Sequence, residues 1–104
     1  LYYQNFNLIH FHLMVKHYAI TLLYESQIEG FRFSMMEKAL RLNITGYVQR
    51  QLNNSVFIEA EGEKTNLEKF LEWCKKGPLG VNILRVEVTE GEVKGYSTFD
   101  IQHR

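Results

Sequence analysis

Tyr18-Ala19-Ile20-Thr21-Leu22-Leu23-Tyr24-Glu25-Ser26-Gln27-Ile28-Glu29-Gly30-Phe31-Arg32 reads as a strand that passes through one short loop into a helix. From Tyr18 to Tyr24 the residues are apolar, β-branched or aromatic, the pattern of a buried strand. The loop carries one glycine, and Arg32 falls where helical spacing begins. Backbone N–H groups at a helix N-terminus, with a guanidinium beside them, form a ready site for a phosphate or carboxylate. Arg32 and the loop residues Gln27, Ile28, Glu29, Gly30 and Phe31 are therefore the candidate anion site.

Downstream of that unit, Phe33, Met36, Ala39 and Leu40 recur at helical spacing, with Met35 and Leu42 flanking. Asn43 suits a left-handed residue at the end of that helix. Two β-type runs follow, Ile44–Gln51 and Ser55–Glu61, and the asparagines of Leu52-Asn53-Asn54 predict a tight hairpin between them. A second helix is predicted from Thr65 to Lys76. Thr65 and Glu68 have capping-box spacing, Leu67, Phe70, Leu71 and Cys74 form an apolar stripe, and Gly77-Pro78 stops it. Val81, Ile83, Val86 and Val88 are strand-like, although their alternation slips between Ile83 and Val86. Gly91 and Gly95 bracket a turn, and Thr98–Gln102 reads as a last strand. The order β-α-β-β-α-β predicts an α+β domain of the ferredoxin-like split βαβ type. Two helices would cover one face of an antiparallel sheet, with an extra C-terminal strand.

The chain has 104 residues, enough for a single core. Its apolar fraction of 45% is that of a globular protein. Twelve basic and twelve acidic residues cancel, so no overall field draws the chain to nucleic acid or to an anionic membrane, and an anion site must be local. No apolar run is long enough to predict a transmembrane helix. The lone cysteine, Cys74, rules out an internal disulfide and suits a reducing, cytoplasmic setting. Its place on the apolar stripe predicts an inert, buried thiol. Residues 1–13 differ from the rest in being aromatic and uncharged apart from His10 and His12, and Met14-Val15-Lys16 reads as a natural start. The division expected is an N-terminal extension over 1–13, read as a candidate non-native segment, and a domain over 14–104. Such an aromatic segment would dock on a sheet edge, within the chain or as a homo-oligomer. His10, His12 and His17 have no acidic partner evident nearby in sequence, so no metal site is expected there. His103 is expected to be exposed.

The residues quoted above resemble the acylphosphatase family. Ser26 to Arg32, with Ala39 and Leu40 after it, is similar to the family's arginine-containing loop and helix. Leu42-Asn43-Ile44-Thr45-Gly46-Tyr47-Val48-Gln49-Arg50 is similar to its second strand, and Ser55-Val56-Phe57-Ile58-Glu59-Ala60-Glu61-Gly62 to its third. Phe70-Leu71-Glu72-Trp73 and Gly77-Pro78 match its second helix and the turn beyond. The match runs without a gap over most of Thr21 to Pro78. The resemblance implies hydrolysis of the carboxyl–phosphate bond of small acyl phosphates, without metal or cofactor. It also implies that the loop amides and Arg32 bind the phosphate, and that an asparagine on the second strand orients the attacking water.

That asparagine is missing. Arg50 stands in its position, Ile28 stands where the family has glycine, and Glu29 where it has valine. A guanidinium donates hydrogen bonds and accepts none, so Arg50 cannot take up water's proton or aim its lone pair. Isoleucine would be strained if the loop needed a left-handed residue at position 28. Glu29 would repel an anion or pair with Arg32 or Arg50. The function expected is binding of a small phosphate-type anion at residues 27–32, with weak or no hydrolysis. The alternative is an active hydrolase in which Glu29, Gln27, Gln49 or the backbone near Asn53 positions the water.

Overall fold

The computed structural model describes residues 14–26 and 28–103. Its elements are β1 (Val15–Tyr24), α1 (Phe31–Arg41), β2 (Thr45–Gln51), β3 (Ser55–Glu63), α2 (Lys64–Lys75), β4 (Ile83–Gly91) and β5 (Phe99–Gln102), with a short 3-10 turn at Pro78–Gly80. The docking proposed for residues 1–13, and the place of His10 and His12, lie outside the described residues. Among the described residues no helix is long and apolar enough to cross a membrane.

One sheet holds all five strands in the order β4-β1-β3-β2-β5. β1 pairs antiparallel with both β3 and β4, and β2 pairs antiparallel with β3. β1 and β2 therefore run parallel with β3 between them, the split βαβ arrangement read from the element order. The C-terminal strand adds something that order alone does not give: β5 joins the outer edge of β2 in parallel, so the sheet is mixed. The slip in alternation after Ile83 is a bulge, where the register against β1 shifts between Leu23–Arg85 and Tyr24–Ile83.

Both helices lie on one face, α1 against β2 and β5, α2 against β3 and β1. The core between them is made by every second strand residue: Ile20, Leu22 and Tyr24 of β1, Val48 of β2, and Val56, Ile58 and Ala60 of β3. Leu67, Phe70, Leu71 and Cys74 of α2 close it, as their spacing predicted. The face of α1 is corrected. Phe31, Met35 and Ala39 are buried, whereas Phe33 is 56% and Leu40 47% exposed. The phase is set by Phe31, which turns in edge-on to Tyr24 at a centroid distance of 5.2 Å, and positions four and eight residues on follow it. The capping box also fails: the N-cap of α2 is Glu63, with no side-chain cap, while Glu68 accepts a hydrogen bond from the Tyr18 hydroxyl at 2.6 Å.

The hairpin turn is as expected, with Asn53 and Asn54 left-handed at φ 59° and 52°, and Asn43 ends α1 at φ 56°. Gly46 is required: a Cβ there would stand 1.8 Å from the Glu59 carbonyl oxygen.

The sheet's other face carries polar residues. From the end of β4 the chain crosses this face through residues 92–98 to reach β5 at the opposite edge. Beneath it, Glu61 accepts the backbone N–H groups of Lys94, Gly95 and Tyr96 at 2.5, 2.9 and 3.3 Å. Glu59 accepts from Lys94 Nζ at 2.9 Å, the Tyr96 hydroxyl at 2.5 Å and the Tyr47 hydroxyl at 3.0 Å. His17, expected to lack acidic partners, has Nδ1 2.6 Å from Glu61 and Nε2 3.3 Å from Glu59. Those partners lie on the directly paired strand β3, Glu61 opposite His17, but far away in sequence, so local spacing gave no sign of them.

Candidate functional site

At the end of β1 the chain is pinned on both sides. Tyr24 N–H donates to the Asn54 carbonyl and Glu25 N–H to the Asn82 carbonyl, each at 3.0 Å. Asn54 Nδ2 also holds the Glu25 carbonyl at 3.0 Å. The loop then closes on itself, with Phe31 N–H donating to the Ile28 carbonyl at 3.2 Å. Gly30 takes the left-handed conformation, φ 84° and ψ 0°, that starts α1, and Ser34 N–H makes the first helical bond to its carbonyl at 2.9 Å. The amides of Arg32 and Phe33 lie within the first turn, where a helix offers no internal acceptor. Because Phe31 is buried against Tyr24, the next residue, Arg32, is directed outward at the helix start.

Among the described loop residues Gly30 makes the left-handed turn into α1. Gln27 lies outside the described residues.

Arg50 is on the same side of β2 as Val48, opposite Val56 of β3, but at the strand end, beyond the cover of α1, and it is exposed. β5 runs beside β2 with Gln102 opposite Gln49, which carries His103 alongside Arg50. These elements enclose a cavity of about 540 Å³. Arg32, Arg50 and His103 make one wall; Ile28, Glu29, Gly30, Phe31 and Phe33 form the loop side, and Tyr24, Val56 and Ile101 the floor. Every candidate loop residue that is described therefore meets Arg32 and Arg50 at one cavity.

Neither Arg32 nor Arg50 forms an ion pair or a side-chain hydrogen bond among the described residues, so the pairing of Glu29 with either is not seen. Of the other groups named as water-positioning substitutes, Gln49 accepts a hydrogen bond from Gln51 Nε2 at 2.9 Å and does not line the cavity. Asn53 opens onto a different cavity, with Thr21, Ser55 and Phe57. No carboxamide lines the cavity among the described residues. Glu29 and His103 are the lining side chains able to accept a proton.

His103 is the functional candidate that sequence reading missed. It is exposed, as expected, but it reaches the site only because β5 is parallel to β2, and pairing across a sheet edge leaves no local signal. Among the described residues no group of three His, Cys, Asp or Glu is arranged to hold a metal. Cys74 is buried in the core, and burial pushes its thiol well above the ordinary value.

Residues 27–101 match the acylphosphatase family model. An acylphosphatase of Synechococcus sp. (strain CC9902) is 35% identical over 74 residues, spanning 71% of this chain and 63% of that protein. The chain thus matches less than two thirds of that relative's length. One from Moorella thermoacetica is 30% identical over 96 residues, covering 92% of this chain and 96% of its own. The solved structure of an acylphosphatase from Coxiella burnetii superposes with a TM-score of 0.82 at 27% identity, over 88% of this chain and 96% of that one.

Proposed function

This chain belongs to the acylphosphatase family, and from that premise we propose that it binds a phosphate-type anion at the cavity of Arg32 with weak or no hydrolysis of acyl phosphates. The observation that carries the reading is Arg50, a donor-only group lining the 540 Å³ cavity of Arg32 and the loop, whose described lining holds no carboxamide. A phosphate at the start of α1 would meet the first-turn amides and a guanidinium whose planar fork matches two of its oxygens. Binding is thereby provided for.

Hydrolysis asks for more. Water must sit in line with the leaving group and be held by something that accepts from it as well as donates. Arg50 attracts the water's oxygen and turns its protons away, which leaves the nucleophile unaimed. Loss of such a group costs on the order of 10²- to 10⁴-fold in rate. The natural ligand is thus a small anion, with no cofactor, and the buried lone thiol fits a cytoplasmic setting.

Benzoyl phosphate hydrolysis tests the reading. Wild type is expected to turn over slowly and Arg50→Asn at least about tenfold faster. Rapid wild-type turnover that Arg50→Asn leaves unchanged would sink it. A second reading, an active hydrolase, draws support from Glu29 at the same cavity. It requires turnover that Glu29→Gln and Arg32→Ala each abolish.

A further inference from the structure

Beside the first cavity lies a second, of about 310 Å³, lined by Gln51 and Leu52 of the hairpin and again by Arg32, Arg50 and His103. The two arginines and His103 form the wall that the two spaces share. The first space holds the loop and Glu29, whereas among the described residues no carboxylate side chain lines the second. We propose that Arg50 and His103 form a second oxyanion subsite, so that the ligand carries a phosphate at one end and a second anionic group, carboxylate or phosphate, a few atoms away. This rests on the binding reading above, with the phosphate held at the start of α1.

The argument is one of charge and shape. A single phosphate held by Arg32 and the first-turn amides leaves Arg50, which has no ion pair or side-chain hydrogen bond among the described residues, facing polar, open space. Two guanidiniums beside one cavity repel each other, and a ligand with two anionic groups answers both. A fork of donors reads a carboxylate or a phosphate in two parallel hydrogen bonds, which a lone asparagine in that position would not do. His103, arriving on β5, adds a ring N–H from the other side of the same space. The substitution that removes a water-orienting carboxamide thus supplies a specificity determinant.

Titration calorimetry on the full chain with stable phosphonates tests this. Phosphonoacetate and methylenediphosphonate carry the second anion as carboxylate and phosphonate, and phosphonoacetamide is the neutral isostere. Wild type is expected to bind at least one of the two anionic ligands about tenfold more tightly than the amide. In Arg50→Gln that ratio should fall to within about twofold of unity, and His103→Gln should remove part of it. Arg50 and His103 are exposed, so neither change disturbs the core. A wild-type ratio near unity, with the amide still bound and lost in Arg32→Ala, overturns the second subsite and leaves phosphate binding standing. A large ratio unchanged by Arg50→Gln assigns the preference to overall charge and overturns it equally. If neither the amide nor orthophosphate binds, both readings fall.

Discussion

Under the 92–98 crossing, Glu59 and Glu61 are surrounded by donors; toward the other end of β3 and on the opposite face, Arg32 and Arg50 line a cavity with no acceptor committed to them among the described residues. The acidic region is closed. Burial would raise both carboxyls, yet hydrogen bonds outweigh it: Tyr96, Lys94 and Tyr47 hold Glu59 below the usual carboxylate range, and the Lys94 amide and His17 hold Glu61 there. In return, burial and the bond to Glu59 push the Tyr47 and Tyr96 hydroxyls up to about 12. No buried side-chain nitrogen or oxygen among the described residues lacks a partner. The cationic region is open, and its arginines form no ion pair among the described residues. Under the proposed function one cluster serves the fold and the other serves recognition, and mutations should separate them.

The largest effect on stability is expected from Glu61→Ala. It strips three backbone N–H groups and one His17 nitrogen of their acceptor in a residue that is 2% exposed. Breaking a buried pair from one side costs about 3 to 5 kcal/mol. Urea unfolding measures it, and anion affinity of the molecules that remain folded should change little. A variant as stable as wild type would show that the crossing does not depend on Glu61.

Acid should act on the same cluster. Both carboxyls have folded pKa values below their unfolded ones, so their contribution is present above the ordinary carboxylate range and lost as pH falls through it toward the folded values. Melting temperature is expected to drop steeply there, and less so in a Glu59→Gln/Glu61→Gln variant. Equal slopes would move the acid sensitivity elsewhere. Tyr96→Phe is a smaller cut, removing one hydroxyl donor from Glu59 while keeping the ring against Tyr47; about 1.5 kcal/mol is expected.

The contrast between the regions also explains what the sequence disclosed. The α2 stripe, the Asn53-Asn54 turn and the loop into Arg32 follow from periodicity and backbone preference within a few residues, and the structure carries them. The face of α1 was misjudged because Phe31, at the loop boundary, sets the phase, and apolar spacing inside the helix does not record that contact. Arg32 and Arg50 could be brought together through the family's motif spacing. His103 could not, since its place depends on β5 lying parallel to β2. The His17–Glu59–Glu61 cluster was hidden for the same reason. Its members lie on paired strands, and their charges in sequence look like an ordinary solvated face.

The smallest effect should have the opposite sign. Arg32 and Arg50 face the same two cavities, and removing one charge relieves repulsion that the folded chain otherwise carries. Arg50→Gln is therefore expected to stabilise the free protein by a few tenths of a kcal/mol, raising the melting temperature by about 1 to 2 °C. Salt should shrink that gain by screening. A saturating dianionic phosphonate should reverse it, because ligand stabilises the native state in proportion to affinity and wild type would bind it more tightly. The Glu61 variant would show no such reversal: its deficit is built into the fold and no anion fills it. If Arg50→Gln lowers stability in the free protein, then Arg50 is already paired within the fold, and the cationic cavity is closed in the same sense as the acidic cluster.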